Sequence, residues 1–199
     1  MQPKTLLEFA GMEFKPGSLS ESILVIIDAQ KEFTEGQLKL PGIEAATGEA
    51  RKILDRARRL GLPIIHVRHR NLSGAALFNP DSKFVEDIEL LKPENEEIVV
   101  NKTMANAFVR SSLDVELQKT GRNNLVIFGY MTHMAVDATV RAALERGFKT
   151  TVIGDACATR DLADGYGNII PAAQIHAASL AALRDRFAAV VKSETELPD

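Results

Sequence analysis

Three positions that could contribute to a site for acid–base chemistry each follow a short apolar run of the sequence. They are Asp28, Lys102 and Gly129, which come after the runs 23–27, 98–100 and 125–128. Beyond Gly129 the chain turns, and a helix is predicted to begin near Thr132, a residue type that favours the N-cap. The first turn of a helix offers backbone N–H groups and a positive dipole end to an anion. A carboxylate, an ammonium group and such a helix start in one crevice could transfer protons and stabilise an oxyanion.

The elements that must position these residues alternate between apolar runs and helical patterns. The predicted strands are 23–27, 63–67, 98–100, 125–128, 150–153 and 187–191, and the predicted helices are 43–60, 111–120, 132–147 and 169–186. Continuous apolar strands between amphipathic helices predict a Rossmann-like three-layer α/β/α sandwich with a mainly parallel sheet of about six strands. Ligands bind such sheets beyond the carboxyl ends of the strands, which is where the three positions fall.

Composition and length favour one globular domain over 1–199. Hydrophobic residues make up 45% of the chain and charged residues 26%, which is ordinary for a globular protein. The net charge of −3 argues against nucleic-acid binding, and no apolar stretch reaches the roughly 20 residues of a membrane span. With one cysteine, Cys157, no intrachain disulfide can form, and the N-terminus lacks a signal-peptide pattern. We therefore expect a cytoplasmic protein.

Four segments of the chain together match a known pattern. They read LVIIDAQKEF (24–33), NKTMANAF (101–108), GYMTHMAVDATVRAA (129–143) and GDACATRD (154–161). In their order and spacing the chain resembles the isochorismatase-like cysteine hydrolase superfamily, which includes nicotinamidases, N-carbamoylsarcosine amidohydrolase and isochorismatases. The resemblance runs from about Ser22 to Val191, which marks the core of the domain.

The resemblance implies an Asp-Lys-Cys triad and matches its first two members to Asp28 and Lys102. The family's nucleophilic cysteine falls at position 135, where this chain has Ala135. The resemblance also implies a cis peptide bond at Tyr130–Met131 and an oxyanion hole made by the backbone N–H groups of Met131 and Ala135. A thiol at position 135 would attack an amide carbonyl and form a thioester, with Asp28 taking and later returning the proton. Alanine has no reactive atom, so this pathway stops at its first step while the binding groups persist.

Three explanations of Ala135 are open. The first is that the nucleophile of an amide or related C–N hydrolase has been substituted, because the surrounding residues resemble the cysteine branch. The second is a natural enzyme of the isochorismatase type, which by resemblance lacks the cysteine and uses Asp28 to protonate a vinyl ether. The third is a non-catalytic protein with a binding role.

Further candidates for substrate contacts lie within the four segments or, for His69, after the second strand. They are Gln30, Phe33, His69, Phe108, Tyr130 and His133. The phenylalanines and the tyrosine could form an apolar wall of the pocket or pack in the core. The side chain of Gln30 could orient Asp28 or contact the substrate, and His133 could cap the helix instead of facing the pocket.

The region after the second strand is where nicotinamidases of the superfamily bind a metal. This chain lacks their Asp-x-His pair, and an extended strand points His66 and His69 to opposite faces. We therefore expect no metal and no cofactor, a packing or capping role for His66, and a pocket role for His69. Cys157 is expected to be a buried packing residue and not a nucleophile.

Other classes of function lack their sequence signatures. A phospho-receiver domain needs an acidic pair after its first strand and an aspartate after its third, where this chain has DAQKEF and VVNK. Neither a G-x-G-x-x-G motif nor a Walker-type loop is present. We expect a small-molecule substrate and, by resemblance, a homodimer or homotetramer. The segment 69–95 is expected to form part of a lid or rim of the site.

Overall fold

The computed structural model describes residues 3–94 and 96–199. Within these residues the strands are β1 (Ser22–Ile27), β2 (Ile64–His69), β3 (Ile98–Lys102), β4 (Asn124–Gly129), β5 (Lys149–Ile153), β6 (Leu162–Ala163), β7 (Ile169–Ile170) and β8 (Ala189–Val191). The α-helices of the same residues are α1 (Leu6–Phe9), α2 (Ile43–Arg59), α3 (Leu113–Lys119), α4 (Asp137–Glu145) and α5 (Ala172–Arg186).

Six of the described strands form one parallel sheet in the order β3-β2-β1-β4-β5-β8. Strand β1 is buried along its whole length, because helices cover both faces of the sheet. Helix α2 connects β1 to β2 on one side of it in the sheet, whereas α4 and α5 connect strands that follow one another in the opposite direction. Because such crossovers are right-handed, α2 lies on one face of the sheet and α4 and α5 lie on the other. This architecture confirms the predicted three-layer α/β sandwich with a six-stranded sheet.

The winding of the sheet reverses between β1 and β4. From β1 the chain passes to β2 and β3 on one side, then crosses back to β4 on the other side of β1. Such a switch point leaves a crevice at the carboxyl ends of the strands. Ile27 pairs with both Val67 and Gly129, and His69 pairs with Lys102, so the carboxyl ends of four strands meet at this edge.

The helix predicted over 169–186 begins later than expected, at Ala172. Strand β7 pairs with β6 as a short antiparallel hairpin, and Pro171 directly precedes the helix. A proline has no N–H to donate and is favoured at a helix start. The carboxylate of Asp161 accepts the Ala172 N–H at 2.7 Å and caps the first turn. No helix in the described part of the chain combines the length and apolar character that a membrane crossing requires.

His66 lies in an ion-pair network outside the crevice. Its Nε2 is 2.8 Å from Oε2 of Glu97, whose carboxylate also accepts Nε–H of Arg58 at 2.7 Å. Burial raises the pKa of Glu97, but hydrogen bonds from Arg58, the Glu94 backbone and His66 outweigh it and lower the pKa to about 2. The network joins α2 to the chain before β3, so His66 has the packing role predicted for it.

Candidate active site

Asp28 and Lys102 form a buried ion pair at the carboxyl edge of the sheet. Nζ of Lys102 donates to Oδ2 of Asp28 at 2.7 Å, and the two residues are 1% and 3% exposed, respectively. Their strands, β3 and β1, are separated by β2 and therefore lie about 10 Å apart at the usual spacing of neighbouring strands. The long stem of a lysine spans this gap across the end of β2. A shorter cationic side chain would not reach Asp28.

The backbone and side chain of Asp28 are both unusual. Its φ of +51° lies in the left-handed region, which aspartate tolerates better than most residues. Asp28 lies one residue beyond the end of β1, and its N–H donates to the Val67 carbonyl at 2.8 Å. Among the residues described, Oδ1 of Asp28 is buried and has no hydrogen-bond partner. The site therefore presents one free carboxylate oxygen beside the one that Lys102 holds.

The protonation of Asp28 is set by burial and by its partner. Burial raises the pKa of this carboxyl group more than the charge and hydrogen bond of Lys102 lower it, and the pKa is about 6. A pKa in this range lets one group accept and donate a proton near neutral pH. Perturbed carboxyl groups of this kind are concentrated at functional sites.

The turn after β4 requires glycine at position 129. Gly129 has a φ of +142°, and a Cβ atom there would lie 2.0 Å from the carbonyl oxygen of Ile27. This close approach sets the turn directly against the strand that carries Asp28. The Tyr130–Met131 peptide bond of the same turn is cis, as the resemblance implies.

The helix after this turn begins differently from the sequence prediction. Thr132–Val136 form a π-helical turn before α4, and Met131 is the N-cap residue. The prediction that Thr132 caps the helix was wrong, because its hydroxyl group pairs with Nδ1 of His176 on α5 at 2.9 Å. Ala135 lies inside the π turn and is 4% exposed. Single π turns within α-helices occur frequently at functional sites.

The backbone N–H groups of Met131 and Ala135 are the predicted oxyanion donors. In the part of the chain that the structure describes, the N–H of Met131 makes no hydrogen bond. Its neighbours on either side are engaged, since Tyr130 donates to Ile27 at 2.9 Å and Thr132 donates to Ala158 at 3.0 Å. A free N–H in a buried turn is a suitable donor for a ligand oxygen.

The side chain of Gln30 holds two segments together and does not face the ion pair. Its Nε2 donates to the carbonyl groups of His69, at 2.9 Å, and Val85, at 2.7 Å. Its Oε1 accepts the N–H of His69 at 2.8 Å. These bonds occupy both ends of the amide, so Gln30 clamps the end of β2. The prediction that its side chain orients Asp28 or contacts a substrate is not supported by this geometry.

An aromatic row formed by Tyr130, Phe33, Phe78 and His69 runs towards the site. The ring centroids are 5.8 Å apart for Tyr130 and Phe33, 5.5 Å for Phe33 and Phe78, and 4.8 Å for Phe78 and His69. Phe33 and Tyr130 are fully buried, and the tyrosine hydroxyl lies 3.2 Å from that of Thr47 on α2. Their contacts are those of core packing, so the pocket role predicted for Phe33 and Tyr130 stays a prediction.

His69 lies beside the ion pair and connects it to the segment that follows β2. Its Nδ1 is 3.2 Å from Nζ of Lys102, and its Nε2 is 3.0 Å from Oδ1 of Asn71. Nδ2 of Asn71 in turn donates to the Leu77 carbonyl at 3.0 Å. Burial and the charge of Lys102 both lower the pKa of His69. Sequence reasoning missed Asn71, because no local pattern marks its partners.

Phe108 and His133 make their described contacts elsewhere. The ring of Phe108 stacks on Phe148 with centroids 6.3 Å apart, and the guanidinium of Arg146 lies 4.5 Å above it. Both partners follow the end of α4, away from the crevice at its start, so Phe108 packs in the core and the pocket role predicted for it is not supported. Nδ1 of His133 pairs with the hydroxyl of Thr159, a contact that neither caps α4 nor involves the ion pair.

Glu32 is a buried carboxylate that sequence reasoning missed. It is 2% exposed and accepts the backbone N–H groups of Gln37 at 2.7 Å and Phe78 at 3.3 Å. These bonds fasten the segment 69–95, predicted as a lid or rim, to the short helical turn after β1. An acidic residue within the motif 24–33 was the available signal, since a buried carboxylate needs partners.

Cys157 is a buried free thiol that lines a cavity away from the ion pair. Burial raises the pKa of the Cys157 thiol to about 12, as expected for a packing residue. Among residues 3–94 and 96–199, no cluster of three histidine, cysteine or acidic residues could hold a metal ion. One cavity of about 380 Å³ lies beside Arg68 and Arg70, and another of about 560 Å³ lies between the starts of α2 and α5. The ion pair lines neither of them.

The six-stranded α/β fold is that of an isochorismatase-like hydrolase. The sequence profile of the isochorismatase domain family matches residues 22–195, and the chain belongs to that family. The crystal structure of an isochorismatase from Pseudomonas putida KT2440 is similar, with 42% identity, a TM-score of 0.93 and coverage of 98% of this chain and 99% of that one.

Two characterised relatives are also similar in sequence. The secreted isochorismatase effector Isc1 of Verticillium dahliae is 36% identical over 92% of this chain and 94% of its own length. A streptothricin hydrolase of Streptomyces noursei is 32% identical over 81% of this chain and 65% of its own length.

Proposed function

We propose that this chain has the site of a hydrolase of small amides or related C–N compounds. Asp28 and Lys102 are the acid–base pair, and position 135 is the place of the nucleophile. The observation that carries the proposal is the buried Asp28–Lys102 pair with its free carboxylate oxygen. The family membership and the similarity to a streptothricin hydrolase support a hydrolytic reaction.

The geometry suggests the following role for each group. With cysteine at 135, the free oxygen of Asp28 takes the thiol proton, and the Lys102 ammonium stabilises the charged forms. The sulfur then bonds to the amide carbon, and the backbone N–H groups of Met131 and residue 135 hold the resulting oxyanion. Asp28 returns its proton to the leaving amine as the C–N bond breaks. Water then cleaves the thioester and regenerates the thiol.

In the chain as it stands, Ala135 supplies no atom for the first bond. Asp28, Lys102 and the N–H of Met131 are nevertheless in place. We propose that this chain is a form of the enzyme that binds its substrate and does not cleave it.

A second candidate function is hydrolysis of a vinyl ether of the isochorismate type. It is favoured by Ala135 itself, because this reaction needs a general acid and no nucleophilic side chain. The similarity to the isochorismatase effector of Verticillium dahliae also supports this candidate. Asp28 would protonate the vinyl carbon, water would add to the cation, and the adduct would collapse to a ketone and an alcohol. The pKa of about 6 suits this proton donor.

Two proteins and two substrate classes separate the candidates. The amide proposal expects ammonia release from at least one small amide, ureide or carbamoyl compound by Ala135→Cys and none by the parent chain. The vinyl-ether candidate expects turnover of isochorismate by the parent chain and its loss in Asp28→Asn. Ala135→Cys combined with Cys157→Ala is the control, because the thiol at position 135 is then the single thiol of the protein. A folded Ala135→Cys that cleaves no compound of the panel refutes the amide proposal.

We also propose that the enzyme acts on a small molecule in the cytoplasm and assembles as a homodimer or homotetramer. The support is the family resemblance, together with the burial of the Asp28–Lys102 pair, which suits a small ligand. Light scattering coupled to size-exclusion chromatography measures the assembly, and a monomer at micromolar concentration would refute it.

A further inference from the structure

We infer that His69 is a positioning residue that accepts a second hydrogen bond from the ammonium group of Lys102, beside the one to Asp28, and leaves one ammonium N–H free for the ligand. This inference rests on the proposed function for its catalytic meaning. Its structural content can be tested on the chain as it stands. It also replaces the earlier expectation that His69 contacts the substrate.

The direction of each hydrogen bond follows from the partners of His69. The ammonium group of Lys102 has three donors and no acceptor, so Nδ1 of His69 must accept from it across the 3.2 Å contact. The proton of a neutral imidazole is then on Nε2, which donates to Oδ1 of Asn71 at 3.0 Å. Asn71 extends this series of hydrogen bonds, because its Nδ2 donates to the Leu77 carbonyl. One tautomer satisfies all these contacts.

The surroundings of His69 hold the ring in this orientation. His69 pairs directly with Lys102 across the β2–β3 ladder, and Gln30 engages both the N–H and the carbonyl of the histidine backbone. Phe78 packs against the ring with centroids 4.8 Å apart. The backbone is therefore clamped and one face of the imidazole is covered, which leaves the ring little freedom to rotate.

Burial and the neighbouring ammonium group of Lys102 keep the imidazole of His69 neutral. Burial is the largest cause that lowers its pKa, and the Lys102 ammonium adds to it. A protonated imidazole would carry hydrogen on both nitrogens and would point a donor at the ammonium group. The ion pair therefore needs a neutral histidine at this place.

Two of the three N–H groups of the Lys102 ammonium group have acceptors. One donates to Oδ2 of Asp28 at 2.7 Å and one to Nδ1 of His69. In the part of the chain that the structure describes, the third has no acceptor. Two fixed acceptors orient a tetrahedral ammonium group, so the third N–H has a defined direction. His69 thereby acts on the reaction through Lys102 and not through the substrate.

The first test is nitrogen NMR of the histidines at pH 7, which needs no turnover. We expect the His69 ring to carry its proton on Nε2 and the Nδ1 resonance to move in Lys102→Met, while the resonances of His66 stay in place. A proton on Nδ1, a doubly protonated ring, or a His69 signal that ignores Lys102→Met overturns the inference. Spectra of His69→Gln assign the resonances. This result is independent of whether any substrate is ever cleaved.

The second test uses two amide variants in the Ala135→Cys background. The oxygen of an asparagine at 69 falls near the place of Nδ1, whereas a glutamine reaches the place of Nε2. We expect His69→Gln to lower kcat about tenfold with KM changed less than twofold, as for the loss of one hydrogen bond to a charged group. His69→Asn should retain kcat within about threefold, because it keeps the acceptor for Lys102.

A different pattern would overturn the positioning role. A rise in KM without a change in kcat in both variants would show that His69 contacts the substrate. Equal losses of kcat in the two variants would show that the acceptor at the place of Nδ1 is irrelevant. His66→Asn is the matched control, because that histidine lies in the Glu97 network outside the crevice and should leave kcat unchanged. Absence of turnover in Ala135→Cys itself would count against the proposed function and leaves the NMR result as the deciding evidence on His69.

Discussion

The buried carboxyl group of Asp28 makes the stability of the protein depend on pH in an unusual direction. Its pKa rises from 3.8 to about 6 on folding, mainly because burial penalises the charged form. The folded protein therefore binds more protons than the unfolded chain between pH 4 and pH 6. The contribution of this group to the free energy of unfolding is fully present below pH 3.8 and is lost as the pH rises through 6.

The size of the effect follows from the shift in pKa. A difference of about two pKa units corresponds to about 3 kcal/mol. Asp28→Asn removes the titrating group, so the parent chain should lose about 2.5 kcal/mol relative to this variant between pH 4 and pH 7, since part of the effect is already lost at pH 4. Other carboxyl groups and histidines titrate in both proteins and cancel in the difference. The asparagine amide stands in for the protonated carboxyl group, so the variant should match the parent near pH 4 and exceed its stability above pH 6.

The assay is urea unfolding followed by circular dichroism at four pH values from 4 to 7, on the parent chain and Asp28→Asn. Asp114→Asn is the matched control, because that aspartate is exposed in the first turn of α3 and should give a difference that does not change with pH. Carbon NMR of the Asp28 carboxyl should show a midpoint near pH 6. A free energy of unfolding of the parent that stays constant relative to that of Asp28→Asn, or that rises relative to it with pH, would refute the reasoning that burial outweighs the ion pair.

Three further predictions concern other parts of the structure. Glu97→Gln should lower the free energy of unfolding at pH 7 by about 2 kcal/mol. Because the pKa of Glu97 is depressed, this contribution is present above pH 4.5 and disappears as the pH falls through 2, which acid titration of both proteins checks. Gly129→Ala should cost at least about 4 kcal/mol or prevent folding, since its Cβ would meet the Ile27 oxygen; wild-type thermal stability would contradict the clash. Iodoacetamide should leave native Cys157 unmodified and label Ala135→Cys once, as mass spectrometry would show.

The order of the elements and the meeting of Asp28 with Lys102 could be predicted from the sequence, because both depend on local patterns. Apolar runs and helical periodicity are properties of neighbouring residues, and a parallel sheet makes every strand end face one edge. Asp28 and Lys102 were found in this way, and the structure brings them to 2.7 Å. The limits of the helix predicted over 169–186 were less accurate, because the pairing of β6 with β7 is not a local property.

The partners of the side chains could not be predicted, because they depend on contacts between residues far apart in the chain. The amide of Gln30 is used by two backbone segments, and Phe108 packs beside the end of α4, which no spacing in the sequence indicates. The π turn at Thr132–Val136 also depends on packing, since the hydroxyl of Thr132 is taken by a histidine of another helix.

The chemical groups available in this protein follow from its sequence: a carboxyl group, an ammonium group and a helix start at three strand ends, with an alanine at the position that the family resemblance matches to a nucleophile. The charge and orientation of those groups depend on the folded chain. The pKa of Asp28, its free oxygen and the hydrogen bond from Lys102 to His69 arise from burial and strand register. These are set when distant segments pack together and exclude water, so no single stretch of the chain contains them.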